Sequence, residues 1–184
     1  ELEGINVAGG ILRIGALTRH QFVERSTEIA KHVPLIAMAM PHIAHPAIRN
    51  RGTFGGSVAL ADPAAELPAC LLALGAEIEI AGVNGRRKVP AGAFFKDLYQ
   101  TDLADDELLT AVEIPLPAEG YQSAFEELAR RHGDYAMTGL AAHAKVDGKK
   151  LSDLRLAFFA VSGTPVLASN AATTADGKDV NDET

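Results

Sequence analysis

Ile48-Arg49-Asn50-Arg51-Gly52-Thr53-Phe54-Gly55-Gly56-Ser57-Val58-Ala59-Leu60-Ala61-Asp62-Pro63-Ala64-Ala65-Glu66-Leu67-Pro68 concentrates more backbone geometry than any other stretch of the chain. The glycines at 55 and 56 leave the backbone free to approach a flat or anionic group closely. Successive amides in a Gly-Gly-Ser turn form a concave nest for an oxyanion, with the Thr53 and Ser57 hydroxyls as further donors. Asp62 and Glu66 are acceptors when ionised and would repel a phosphate placed beside them, so they suit hydroxyls or a ring N–H. Asp62-Pro63 also reads as an N-cap followed by proline at the first helical position, leaving Asp62 open to capping or to ligand contact. Pro68 argues for a single turn at 62–66 and a helix that restarts near Pro68 and ends at Gly75.

Upstream of this stretch, Gly9-Gly10 turns Val7 back into Ile11-Leu12-Arg13-Ile14 as a hairpin. Thr18 and Gln21 have capping-box spacing, and Leu17 with Phe22 that of a hydrophobic staple. Phe22, Val23, Ile29, Ala30 and Val33 follow a helical face, which places His20 and His32 on the solvated side. Pro34 opens a short helix over Leu35–Met40 that Pro41 and Pro46 close. His42 and His45 are three apart, but no neighbouring Cys or carboxylate completes a metal set, and Pro46 breaks the helix such a pair needs.

Downstream, Cys70 lies in an apolar helix, and Glu77-Ile78-Glu79-Ile80 alternates as a strand that Val83-Asn84-Gly85 returns into Arg86-Arg87-Lys88-Val89. The basic run reads as a solvated edge that discourages strand-to-strand association. A strand over Glu107–Pro115 closes this half. Pro115–Gly120 is the best linker, and beyond it Met137–Val146 and Leu154–Val161 form a hairpin about Asp147-Gly148. The tail from Ala171 to Thr184 has no apolar period to bury.

The whole chain has 184 residues, 47% hydrophobic, with a formal net charge of −7 and a single cysteine. That supports an ordinary core without disulfides, fits a reducing, cytoplasmic setting, and argues against a nucleic-acid partner. No apolar run approaches the roughly 20 residues that span a bilayer. No nucleophile–base constellation or metal-ligand set stands out, so no catalytic or metal-binding residue is assigned.

The run from Ile48 to Pro68 closely resembles the second flavin-contacting segment of the FAD-binding medium subunits of molybdenum hydroxylases, of the carbon monoxide dehydrogenase and xanthine dehydrogenase type. Their pattern reads roughly I-R-N-x-G-T-x-G-G-[NS]-x-x-x-A-D-P-x-x-[DE]-L-P, and Glu66 stands where Asp is usual. Gly133-Asp134-Tyr135-Ala136 resembles the family's G-D-[YF]-A segment, with Glu126-Glu127 where a lysine is often found.

The resemblance implies an α+β fold. It comprises the second subdomain of a PCMH-type, vanillyl-alcohol-oxidase-like FAD-binding domain over 1–117, with an antiparallel sheet and helices. The antiparallel-sheet start of a C-terminal flavoprotein domain follows over 121–184. It also implies that the chain begins after the family's pyrophosphate loop and stops before its helical bundle. The cofactor-binding residues it implies are Thr53, Phe54, Gly55, Gly56, Ser57, Asp62, Glu66, Leu103 as a cover over the isoalloxazine ring, and Tyr135 beside that ring. The alternative for Leu103 is a leucine simply buried under its own loop. The flavin then carries the redox chemistry while the protein binds and orients it. The implied partners are a 2Fe-2S small subunit and a molybdopterin-binding large subunit, with electrons leaving the FAD for NAD⁺, a quinone or oxygen. A flavin-free assembly module and a stand-alone FAD oxidoreductase of the same fold are the rival readings.

Overall fold

The computed structural model describes residues 1–179. Two larger antiparallel sheets and a layer of short helices share one apolar core, with a two-stranded ribbon beside them. The first strands, β1 (Ile5–Ala8) and β2 (Ile11–Gly15), form the expected hairpin. Three short helices follow, α1 (His20–Glu24), α2 (Thr27–His32) and α3 (Pro34–Ala39), then a 3-10 turn over Met40–His42 and α4 (Pro46–Arg49). The glycine segment makes α5 (Phe54–Leu60), and α6 (Glu66–Leu74) follows it. Next come β3 (Glu77–Gly82), β4 (Gly85–Pro90), α7 (Ala91–Phe94), the small pair β5 (Phe95–Asp97) and β6 (Gln100–Thr101), and β7 (Leu108–Pro115). The last part comprises β8 (Tyr121–Ala129), β9 (Ala136–Asp147), β10 (Lys150–Phe159), β11 (Val166–Leu167) and α8 (Ser169–Ala175).

The first sheet has the order β1-β2-β7-β3-β4 and the second β11-β10-β9-β8. Register in the first sheet follows from alternation. Ile14 and Ile78 flank Val112, and all three are fully buried. A one-residue slip would turn these side chains to the opposite face. The α6 helix lies between the two halves and packs against β9 and β10. Its run Leu67, Ala69, Cys70, Leu71 is fully buried, and that enclosure pushes the Cys70 thiol up. Phe159 and Phe125 stack at 5.7 Å, and the core that holds Leu12 and Ile78 continues to Ala141 and Phe159 across the linker. The linker itself falls where composition placed it, between β7 and β8.

Several local expectations are corrected. The Gly-Gly-Ser segment is helical rather than a turn: Thr53, extended at φ −114°, accepts the Gly56 amide on Oγ1 at 3.2 Å and caps α5. Ala61 ends that helix in the left-handed region at φ 52°. Asp62 does not start a helix; its Oδ1 accepts the Ala64 amide at 2.9 Å, and α6 begins at Glu66. Pro68 sits in the first turn of α6, where an amide has no intrahelical partner to lose, so the helix runs through it to Gly75. Thr18 caps nothing, because its hydroxyl pairs with the amide and carbonyl of Gly4. Leu17 and Phe22 are both about half exposed and form no staple. Pro46 opens α4 instead of closing a helix.

The basic run of β4 is not merely solvated. Arg86 pairs with Glu79, Arg87 with Asp102 and Glu107, and Lys88 with Glu113, tying the edge strand to its neighbours. The tail forms α8, which buries Ala172 against β10; residues 180–184 of the expected polar tail lie outside the described residues.

Candidate functional site: a cleft between the glycine helix and the Gly-Asp-Tyr turn

A cleft of about 540 Å³ opens between the start of α5, the turn before α6 and the turn that joins β8 to β9. That volume lies within the range of small-molecule sites, roughly 300–1,000 Å³. Gly52, Thr53, Gly56 and Ser57 form one wall, Asp62 and Glu66 a second, and Gly133, Asp134 and Tyr135 a third, with Ile43, Ala44 and Ile48 supplying apolar surface. The stretch from Ile48 to Pro68 and the Gly133–Ala136 segment, about seventy residues apart in sequence, therefore meet in one site. Gly133 makes the close approach possible: at φ +85° it sits so near His45 that a Cβ would lie 2.7 Å from the ring.

Of the expected site residues, Thr53, Gly56, Ser57, Asp62, Glu66 and Tyr135 line the cleft. Phe54 is fully buried in the core, and Gly55 is packed on Ala16. Leu103 is partly buried and packs against the core. Neighbouring Asp102 pairs with Arg87 and Lys96. The amides of the glycine segment are already used within the chain. Phe54 donates to Thr18 O at 2.8 Å, Gly55 to Ala16 O at 2.8 Å, Gly56 to Thr53 Oγ1 and Ser57 to Thr53 O at 3.1 Å. The open oxyanion nest read from sequence is thus closed by the segment's own cap and by the loop before α1.

What faces the cleft is a set of polar and aromatic side chains. Glu66 is buried at the first position of α6, and desolvation, reinforced by Glu127 and Asp62, raises its pKa to about 7. It holds a proton near neutrality and can donate as well as accept. Asp62 Oδ2 accepts from the Tyr99 hydroxyl at 3.3 Å, so the β5–β6 hairpin reaches the cleft rim. Tyr135 is 78% exposed, with its ring available to a ligand rather than to the core. Behind Glu66, Glu127 carries a buried Oε2 without a hydrogen-bond partner, 3.7 Å from His42 Nδ1, and burial raises its pKa.

His20 is a cleft residue that sequence reasoning missed. Instead of facing solvent it is 4% exposed, its amide donates to Gly52 O at 3.0 Å, and its ring lines the cleft. Burial and the nearby Arg49 lower its pKa to about 4, so the ring is neutral. The helical period placed His20 opposite the apolar stripe of α1; the bare Cα of Gly52, far along the chain, is what admits the ring, and no local pattern carries that signal. His42 packs on Phe125 at 5.0 Å and near His132 at 6.2 Å, and no group of residues among those described is arranged to hold a metal ion.

The chain resembles known proteins along its length. A family model described as "FAD binding domain in molybdopterin dehydrogenase" matches residues 1–117, and one described as "CO dehydrogenase flavoprotein C-terminal domain" matches 123–184. The chain is 38% identical over 182 residues to the nicotine 6-hydroxylase medium subunit of Paenarthrobacter nicotinovorans, covering 99% of this chain and 64% of that protein. It is 38% identical over 164 residues to the carbon monoxide dehydrogenase medium chain of Hydrogenophaga pseudoflava, covering 89% and 57%. The solved structure of carbon monoxide dehydrogenase from Hydrogenophaga pseudoflava lacking the Mo-pyranopterin moiety superposes with a TM-score of 0.95 at 37% identity, over 99% of this chain and 63% of that one. Quinoline 2-oxidoreductase from Pseudomonas putida 86 gives 0.93 at 40% identity, over 99% and 63%. The chain spans a little under two thirds of these proteins' length. With the two signature segments meeting in one cleft and a family model matched over most of its length, the chain belongs to the FAD-binding domain family of molybdopterin dehydrogenases.

Proposed function

We propose that this chain binds FAD in the cleft and serves in the electron-transfer subunit of a molybdopterin-dependent hydroxylase. In this reading a 2Fe-2S subunit delivers electrons from a molybdopterin-bearing subunit, and NAD⁺, a quinone or oxygen takes them up, in the cytoplasm. The observation that carries it is the convergence of the Thr53–Ser57 wall with the Gly133–Tyr135 turn around one apolar cleft. Bound FAD would supply the redox chemistry by accepting and releasing electrons.

The chain's own contribution is binding, orientation and electrostatics. The Thr53 and Ser57 hydroxyls face the cleft as donors, and Asp62, held by Tyr99, as a fixed acceptor. Glu66, whose pKa burial raises to about 7, is part protonated near neutrality and in that form offers a hydrogen bond without adding negative charge beside an electron carrier. Tyr135 presents an aromatic face for stacking or shielding. Phe54, buried in the core, and Gly55, packed on Ala16, act from behind, keeping the segment's shape.

The direct test is to purify the natural full-length protein, record its near-ultraviolet and visible absorbance, denature it and identify the released chromophore by mass. Near-stoichiometric FAD is expected. A folded protein with no flavin would instead favour an assembly role, and Tyr135→Ala would then change nothing spectroscopic.

A further inference from the structure

Alternation along β8 turns Phe125 and Glu127 to the same face, where Phe125 stacks on the buried Phe159. Glu127 is thereby placed inside: its side chain is 2% exposed, and its Oε2 has no hydrogen-bond partner among the described residues. Its cross-strand partner is Gly139, and α3, which packs on β8, carries no titratable residue. The titratable groups that reach it are His42 from the 3-10 turn, with Nδ1 3.7 Å from Oε2, and Glu66 from α6, which feels its charge. His42 in turn senses His132 and Glu126, and Glu66 senses Asp62 and faces the neutral Cys70 thiol. Glu66 lines the cleft; Glu127 stands behind it. An unpartnered carboxylate in such a place is costly, so burial pushes the Glu127 carboxyl up and the His42 imidazole down. An acid and a base driven toward each other in this way compete for one proton. Their 3.7 Å separation is an ion-pair distance that no hydrogen bond fixes, and His42, 35% exposed, opens the pair to solvent.

We propose that Glu127 is a positioning residue for the cleft: it acts through Glu66, withholding negative charge from the cleft wall, and His42 is its charge partner on the surface side. The inference rests on the FAD reading above, the ligand beside Glu66 being the flavin. Two carboxyls that feel each other ionise in turn, not together. The working state is the ion pair. The proton leaves Glu127 Oε2 for His42 Nδ1, the carboxylate stays inside, and Glu66 ionises less readily. With the proton back on Glu127 the like charge is gone, and Glu66 ionises more readily. The charge of the cleft wall thus follows a histidine that solvent reaches.

The experiment uses the natural full-length protein without flavin, its glutamate carboxyl carbons and histidine rings followed by NMR against pH. Glu127→Gln keeps the shape and removes the charge. Glu66 should then titrate about one pH unit lower, having lost a like charge, and His42 should also titrate lower, having lost an opposite one. A merely structural role predicts the reverse for His42, because a core opened to water would let its imidazole rise toward an ordinary 6.5. His42→Leu is the reciprocal change at a half-exposed position, and Glu127 should titrate higher there for want of its cation. With FAD bound, the flavin reduction potential near neutral pH should be lower in Glu127→Gln than in the unmodified protein, because an ionised Glu66 disfavours added electrons. A Glu66 midpoint unchanged in Glu127→Gln, a His42 midpoint that rises there, or a Glu127 midpoint unchanged or lowered in His42→Leu overturns the inference. So does a flavin potential that stays the same while the Glu66 midpoint falls. If the unmodified protein retains no FAD, the reading beneath fails, while the flavin-free titrations still decide whether Glu127 governs Glu66.

Discussion

A Cβ on Gly55 would lie 2.5 Å from the Cβ of Ala16 and 2.6 Å from its Cα. The second glycine of the signature segment is therefore a packing residue, pressed against the loop that leads from β2 into α1. Gly56 differs: its absent Cβ would meet only the Thr53 hydroxyl, at 2.7 Å, and it borders the cleft. Gly55→Ala should cost roughly 1–3 kcal/mol, because the obstructing atoms include backbone that cannot rotate away. Gly56→Ala should leave stability within about 1 kcal/mol, since loss of the cap is offset by better helix propensity, yet weaken flavin retention. Urea unfolding of the flavin-free proteins, set beside flavin content after purification, separates the two. Equal unfolding midpoints would remove Gly55 from the packing role.

Arg49 should prove the least replaceable charged residue near the site. It is 6% exposed, donates to both oxygens of Glu24 at 3.0 and 3.1 Å, and donates to the carbonyls of Ile43 and Ala44 at 2.9 and 3.0 Å. Those carbonyls belong to the apolar wall of the cleft, and Ala44 is held at φ 47°. Arg49→Leu leaves four acceptor oxygens without their donor, so a loss of roughly 3–5 kcal/mol is expected, with Arg49→Lys also impaired because an ammonium cannot reproduce the fork. Chemical denaturation measures both. Full stability in the lysine variant would show that the guanidinium geometry is dispensable.

These cases mark what the sequence could carry. Alternation about Ile78 and Ile80, the Gly9-Gly10 hairpin and the proline-rich linker are local patterns, and the strands and their boundaries follow them closely. The α5 helix was not legible, because two glycines in seven residues argue against helix on propensity; the Thr53 cap and the burial of Phe54 and Val58 impose it. The burial of His20 was not legible either, since the space for its ring comes from Gly52. The motif positions Thr53, Gly56, Ser57, Asp62, Glu66 and Tyr135 reach one cleft, but which glycine faces a ligand and which faces Ala16 is decided by tertiary packing.

Tyr135 is 78% exposed and its removal leaves the core untouched. Tyr135→Ala should therefore unfold at the same denaturant concentration as the unmodified protein while altering flavin fluorescence quenching or the rate of flavin reduction. Tyr99→Phe is the complementary change, since it removes the 3.3 Å hydrogen bond to Asp62 and leaves the aromatic ring in place. Little change in stability is expected, with a measurable loss of flavin affinity because the tethered carboxylate orients the ligand. Unchanged spectra and kinetics for Tyr135→Ala would return that residue to a purely surface role.

The pH dependence of folding should expose His20 and Glu66 as opposed neighbours. The His20 pKa falls from an ordinary 6.5 to about 4, so between those values the unfolded chain takes a proton that the folded one refuses, and stability rises with pH. The Glu66 pKa rises from 4.5 to about 7. Its contribution is fully present below 4.5 and is lost as pH climbs through 7, because the unfolded carboxyl ionises first. Each shift corresponds to roughly 3 kcal/mol over its window, and where the windows overlap the two slopes oppose each other. Glu127, raised by its own burial, adds to the falling side. Relative to the unmodified protein, His20→Leu should lose the rising contribution and become progressively less stable from acid toward neutral pH. Glu66→Gln should lose the falling contribution and show the reverse trend. Unfolding free energies measured at several pH values check both signs. Parallel profiles for the two variants would mean that neither proton is governed by burial at the cleft.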